Sequence, residues 1–92
     1  MKKITVNGKE YTLKTIDFSA ICDLESLGLD ISSAHKQTFT TLRALLAHAM
    51  GVDMEVASQE IQKHIVGGGK LDDLKPLFDN LVESDFFRHI SQ

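Results

Sequence analysis

From Lys3 onward the chain alternates, with Ile4 and Val6 apolar between polar neighbours, and Tyr11 and Leu13 repeating the beat between Glu10, Thr12 and Lys14. A period of two marks a strand with one covered face. Asn7-Gly8 supplies the positive φ angles of a type I′ turn. The pattern predicts a two-stranded antiparallel hairpin over about residues 2–15. A two-residue turn pairs Ile4 with Tyr11; a four-residue loop over Asn7 to Glu10 pairs Ile4 with Leu13. Both registers keep the same apolar face, because they differ by two residues. An isolated hairpin is marginal in water, so this face must cover a helix.

Near Asp17 the period changes to that of a helix. Asp17 or Ser19 can cap a first helix running to about Leu27, with Phe18, Ile21, Leu24 and Leu27 as its stripe. Gly28 stands where a left-handed cap is expected. Leu29 to Gln37 reads as a polar connection able to hold one helical turn. Thr38 or Thr40 opens a strong helix ending at Met50, with Phe39, Leu42, Leu45, Leu46 and Ala49 inward and Gly51 as its stop. Asp53 caps a third helix through about Val66, with Glu55 in its first turn. Its buried side reads as Val56 or Ala57, then Ile61 and Ile65. Gly67-Gly68-Gly69 ends it as a flexible joint. Pro76 belongs in a first turn, which starts the last helix near Asp73 with Leu71 packing ahead. That helix carries Leu74, Leu77, Phe78, Leu81, Val82, Phe86 and Ile90. The expected fold is α+β and mainly helical: a hairpin, then three to four packed α-helices (about 17–91), in a single domain over 1–92.

The chain of 92 residues is 42% hydrophobic and 25% charged, which fits a globular core and argues against disorder. No apolar run approaches the roughly 18 residues of a membrane span. Met1-Lys2-Lys3 is basic, but no signal-peptide core follows. The single cysteine, Cys22, cannot form an internal disulfide and fits a reducing compartment. Net charge is −3, unevenly spread: the first 14 residues carry +3, whereas eight acids face four bases from Asp53 onward. A non-specific nucleic-acid binder needs a broad basic field. The small basic patch reads instead as lysines guarding sheet edges.

Catalytic and ligand-binding patterns do not assemble. Gly67-Gly68-Gly69-Lys70-Leu71 resembles a phosphate-binding loop only faintly, because His64 occupies the place of its first glycine and Leu71 that of its Ser or Thr. His35, His48, His64 and His89 form no i, i+4 pair, so they read as solvated or helix-end residues rather than metal ligands. Cys22, inside the first helix, reads as a small buried apolar residue. A nucleophile would need an electropositive setting, and Asp23 and Glu25 oppose that. No enzyme activity, cofactor or metal is expected.

Certain stretches do point to a family. They are Ile4-Thr5-Val6-Asn7-Gly8-Lys9-Glu10-Tyr11, then Asp17-Phe18-Ser19-Ala20-Ile21-Cys22-Asp23-Leu24-Glu25, then Phe39-Thr40-Thr41-Leu42-Arg43-Ala44-Leu45-Leu46-Ala47, followed by the Gly-rich entry to a last helix. With the order of elements, they resemble the tail assembly chaperones of long-tailed phages and prophages, in their short form. The likeness runs over nearly the whole chain, and small prophage proteins of Gram-positive bacteria look most similar. It implies a non-catalytic, non-virion factor in the cytoplasm of the bacterial host. Such factors bind the helical tape measure protein and help tail-tube protein assemble around it. Many members also exist in a longer form made by ribosomal frameshifting. A client helix with apolar stripes fits grooves between amphipathic helices.

The candidate partner-binding residues are Phe86, Phe87 and Ile90. Phe87 points about 100° away from Phe86 on an ideal helix, so a single core stripe does not place both rings easily. Either the terminus packs both, or one ring anchors a client helix or a second copy. The alternative function is a small regulatory protein binding DNA or another protein, with Met50-Gly51-Val52 as a helix-turn-helix corner. Asp53, Glu55 and Glu60 would then face phosphates that repel them.

Overall fold

The computed structural model describes residues 3–29 and 38–90, with backbone alone at Thr38, Phe87 and Ile90. Strands β1 (Lys3–Val6) and β2 (Lys9–Thr12) form the hairpin. Ile4 faces Tyr11 and Val6 faces Lys9, the register of the two-residue turn. Asn7 and Gly8 hold φ of 53° and 78°, as a type I′ turn requires. Ile4, Val6 and Leu13 are buried.

Five α-helices follow among the described residues: α1 (Phe18–Ser26), α2 (Thr38–Met50), α3 (Met54–Val66), α4 (Lys75–Val82) and α5 (Asp85–Ile90). Asp17 caps α1, its carboxylate accepting the Ala20 amide at 2.9 Å. Asp53 caps α3 in the same way through the Val56 amide, also at 2.9 Å. The protein is thus α+β and mainly helical. The single last helix expected from the sequence is divided into three pieces. A 3₁₀ turn over Leu71–Leu74 leads into α4, where Pro76 fits the first turn. The chain breaks at Glu83-Ser84, and the Ser84 carbonyl then accepts the Arg88 amide to begin α5. The polar connection read between Leu29 and Gln37 lies outside the described residues beyond Leu29, whose side chain is buried.

Helix α2 is the centre of the molecule and contacts α1, α3, α4 and β2. Leu42, Leu45 and Leu46 are buried on one side and Ala44 and Ala47 on others, so small residues admit neighbours where leucines do not. A helix covered nearly all round has this composition. One cluster joins these residues to Ile4 and Val6 of the hairpin, Leu24 of α1, and Leu74, Leu77 and Leu81. The Asn80 side-chain amide donates to the Lys14 carbonyl at 2.7 Å, tying α4 to the hairpin's exit.

Several expected core residues lie outside this cluster. Phe18 is 64% exposed, because α1 buries Ala20, Ile21 and Leu24, and Phe18 stands about 120° round the helix from Leu24. Cys22 is exposed, about 160° from Leu24, and not a buried apolar residue. Phe39 is 71% exposed, in the first turn of α2 and beyond the buried run that starts at Thr41. On α3 the buried line is Ala57, flanked by partly covered Ile61 and His64; Val56 and Ile65 point away from it. Leu71 and Val82 are exposed, since the 3₁₀ turn and α4 bury Leu74, Leu77 and Leu81 instead.

Candidate functional site

The polar chemistry concentrates at two places along α3. At its C-terminal end His64 shares a face with Ala57, and so turns inward to the hairpin tip. Its Nε2 lies 2.9 Å from Asp73 Oδ2, while Nδ1 accepts the Asn7 amide at 3.3 Å. With Nδ1 accepting, Nε2 is the ring nitrogen that faces Asp73 as a donor. Asp73 Oδ2 also accepts the Lys70 amide at 2.9 Å. The Asn7 side chain in turn donates to the Glu60 carbonyl at 3.0 Å. Hydrogen bonds from the Lys70 amide, and then from His64, hold the Asp73 carboxyl below its ordinary value of 3.8. An Asp–His pair invites a catalytic reading, but the ring nitrogen that would take a proton is already engaged by a backbone amide.

The triple glycine serves this clasp and is not the loose joint expected from composition. The amides of Gly67, Gly68 and Gly69 bond the carbonyls of Lys63, Ile65 and His64. Gly68 has φ of 101°, and a Cβ on Gly69 would stand 2.6 Å from the His64 carbonyl oxygen and 2.5 Å from its ring. With the Lys70 amide on Asp73, these donors are all engaged internally, and none is left to cradle a phosphate.

Midway along α3 the arrangement is different. Phe39, Leu42 and Arg43 of α2 and Ser58, Ile61 and Gln62 of α3 line an open groove of about 280 Å³. Among the described lining residues Arg43 is the one that carries charge. The guanidinium reaches Ser58 Oγ from one terminal nitrogen at 3.5 Å, its single hydrogen bond among the described residues. Its Nε is buried with no partner. A buried donor left without an acceptor costs about 1–3 kcal/mol. Gln62 also borders an adjoining recess of about 260 Å³ with Gln59, Lys63 and Val66, and Val66 is 80% exposed.

A second apolar surface joins α1 to α5. Phe18 meets Phe86 edge to face, with centroids 5.6 Å apart and planes at 70°. Phe86 is half-buried by this contact and packs on the core margin. The side chains of Phe87 and Ile90, the other two candidates, lie outside the described residues. The α2–α3 groove escaped the sequence reading, which places Phe39 in the core and gives Arg43 no role. Its signal was the Phe39/Arg43 pair at i, i+4 beside the core stripe.

His48 closes α2 with 11% of its side chain exposed, 3.8 Å from Asp23. Burial pushes its pKa below 6.5, the Lys14 charge adds to this, and Asp23 and Asp17 oppose it. His35 lies outside the described residues. Among those described, no three His, Cys, Asp or Glu side chains gather as a metal site, and no helix is long and apolar enough to cross a membrane. Set against protein-family models, curated proteins and solved structures, the chain matches none.

Proposed function

We propose that this protein is a non-catalytic assembly chaperone of phage or prophage tails, acting in the host cytoplasm and absent from the virion. Its client is the helical tape measure protein, whose apolar stripes it covers while tail-tube protein polymerises. The observation that carries the reading is the open groove between α2 and α3, with Phe39 exposed at its edge on a helix whose three leucines are buried. A helix-in-groove mode suits such a surface. The resemblance of the hairpin, α1 and α2 sequences to tail assembly chaperones supplies the identity of the client. On the DNA-binding alternative, α3 would enter a groove carrying exposed Glu55 beside its cap Asp53, which phosphates oppose.

Two experiments test the reading. Deleting the gene from an inducible prophage is expected to leave heads without assembled tails; normal tails would remove the assignment. Co-purification with fragments of the neighbouring tape measure protein is expected to persist with little change as salt rises, because apolar burial is not screened. Binding to duplex DNA that falls steeply with salt would instead favour the regulatory reading.

A further inference from the structure

We infer that the α2–α3 groove selects client helices carrying a carboxylate flanked by apolar residues, with the Arg43 guanidinium as the anchor for that carboxylate. The inference rests on the chaperone reading only in taking a helix as the occupant. Charge complementarity names the rest. An arginine cannot shed its proton, and it carries five N–H donors in a planar fork that matches a carboxylate. Here the described residues give that fork a single hydrogen bond, to Ser58 Oγ at 3.5 Å, and leave Nε buried without a partner. Among the described residues no acid lines the groove to neutralise it, and Glu55, one turn before Ser58, is not one of the lining residues. The adjoining recess repeats the sign, with Lys63 as its charged residue, itself 3.7 Å from Glu60. The other described lining residues are apolar or neutral: Phe39, Leu42 and Ile61, with Thr40, Ser58 and Gln62. A purely apolar helix would cover the guanidinium and strand its remaining donors, and a basic helix would be repelled. An acid one turn from apolar residues on either side meets both demands, since i±3 and i±4 positions share a face.

The test uses two synthetic helical peptides of about 20 residues, above the ~12–15 below which isolated helices are marginal. They are alike except for one central Glu or Gln between leucines at i±3 and i±4. Calorimetric titration into the intact chain is expected to give about tenfold tighter binding for the Glu peptide, the scale of one charge-assisted hydrogen bond in a partly buried site. Arg43→Gln is expected to erase that difference, Arg43→Lys to keep part of it, and Phe39→Ser to weaken both peptides alike. Equal affinities in the unaltered chain, a difference that survives Arg43→Gln, or no binding of either peptide would each overturn the assignment. Should Arg43→Gln fail to fold, amide shift changes at Phe39, Ser58 and Ile61 in the unaltered chain, larger with the Glu peptide, carry the same test; equal shifts, or shifts elsewhere, overturn it. The two readings fail separately. A Glu preference without capture of tape-measure fragments would remove the client's identity and keep the Arg43 role. Capture that is indifferent to changing the fragment's acids to amides would do the reverse.

Discussion

At the C-terminal end of α3 the His64 ring has both nitrogens occupied, by Asp73 at 2.9 Å and the Asn7 amide at 3.3 Å. Midway along the same helix Arg43 reaches across from α2 and, among the described residues, finds only Ser58 at 3.5 Å. Both groups are polar and both sit beside the core, yet only the first has its hydrogen-bonding capacity met. Buried polar groups in folded proteins are ordinarily satisfied, so an under-partnered one asks for an explanation in function. The satisfied site ties the hairpin tip, α3 and the 3₁₀ turn together and serves the fold. The unsatisfied one lies in an open groove with an exposed phenylalanine at its rim, and serves a partner in the account given above.

Variants can break or sharpen this contrast. The largest effect is expected under both sites, at Leu46 of α2, which is wholly buried. Leu46→Ala should lose about 2–5 kcal/mol by urea denaturation. An unchanged midpoint would show that the core shared by clasp and groove is placed wrongly. Next comes Gly69→Ala, which forces a methyl group against the His64 carbonyl and ring. The expected loss is about 1–3 kcal/mol, as for overpacking, together with weaker protection of the Asn7 amide from hydrogen exchange. Retained protection and stability would mean that the clasp tolerates opening.

Acidity separates the sites more finely. Asp73 has its folded pKa lowered from 3.8, so its contribution is present above 3.8 and is lost as pH falls through the lower folded value. Asp73→Asn should therefore flatten the acid limb of a stability–pH curve, whereas an Arg43 variant should leave it intact. His48 acts at higher pH. Its folded pKa lies below 6.5, so the unfolded chain binds the proton first and stability falls as pH drops from above 6.5 toward the folded value. His48→Gln should reduce that slope. The smallest stability effect is expected at the groove itself. Arg43→Met keeps the packing stem and removes the stranded donors, so stability should stay within about 0.5 kcal/mol or rise. A loss as large as that of Gly69→Ala would make Arg43 a structural residue.

The hairpin, its register options, the Asp53 cap, the Asp17-or-Ser19 choice for α1 and the ends of α2 and α3 to within two residues were legible in the sequence because local rules set them. Asn7-Gly8 requires a tight turn, and Asp17 and Asp53 begin helices wherever they sit. Which residues each helix buries was less legible. Phe18 and Phe39 are apolar and at helical spacing, but each lies in the first turn of its helix, away from the crossings that Leu24 and Leu46 make. Tertiary neighbours decide such cases, and spacing alone does not name them. The triple glycine shows the same limit. Composition suggests flexibility, while the reason for Gly69 is a histidine five residues earlier whose partners come from two other segments, the hairpin tip and the 3₁₀ turn. The groove was hidden similarly, since an arginine on a helix reads as solvated until a second helix covers its stem.

The most direct test of the central claim is an amide shift map of the intact chain titrated with a tape-measure fragment. The account predicts changes concentrated at Phe39, Arg43, Ser58, Ile61 and Gln62, with the Asn7, His64 and Lys70 amides unmoved. Changes concentrated instead on the clasp, or on the Phe18–Phe86 surface of α1 and α5 with the groove silent, would contradict it.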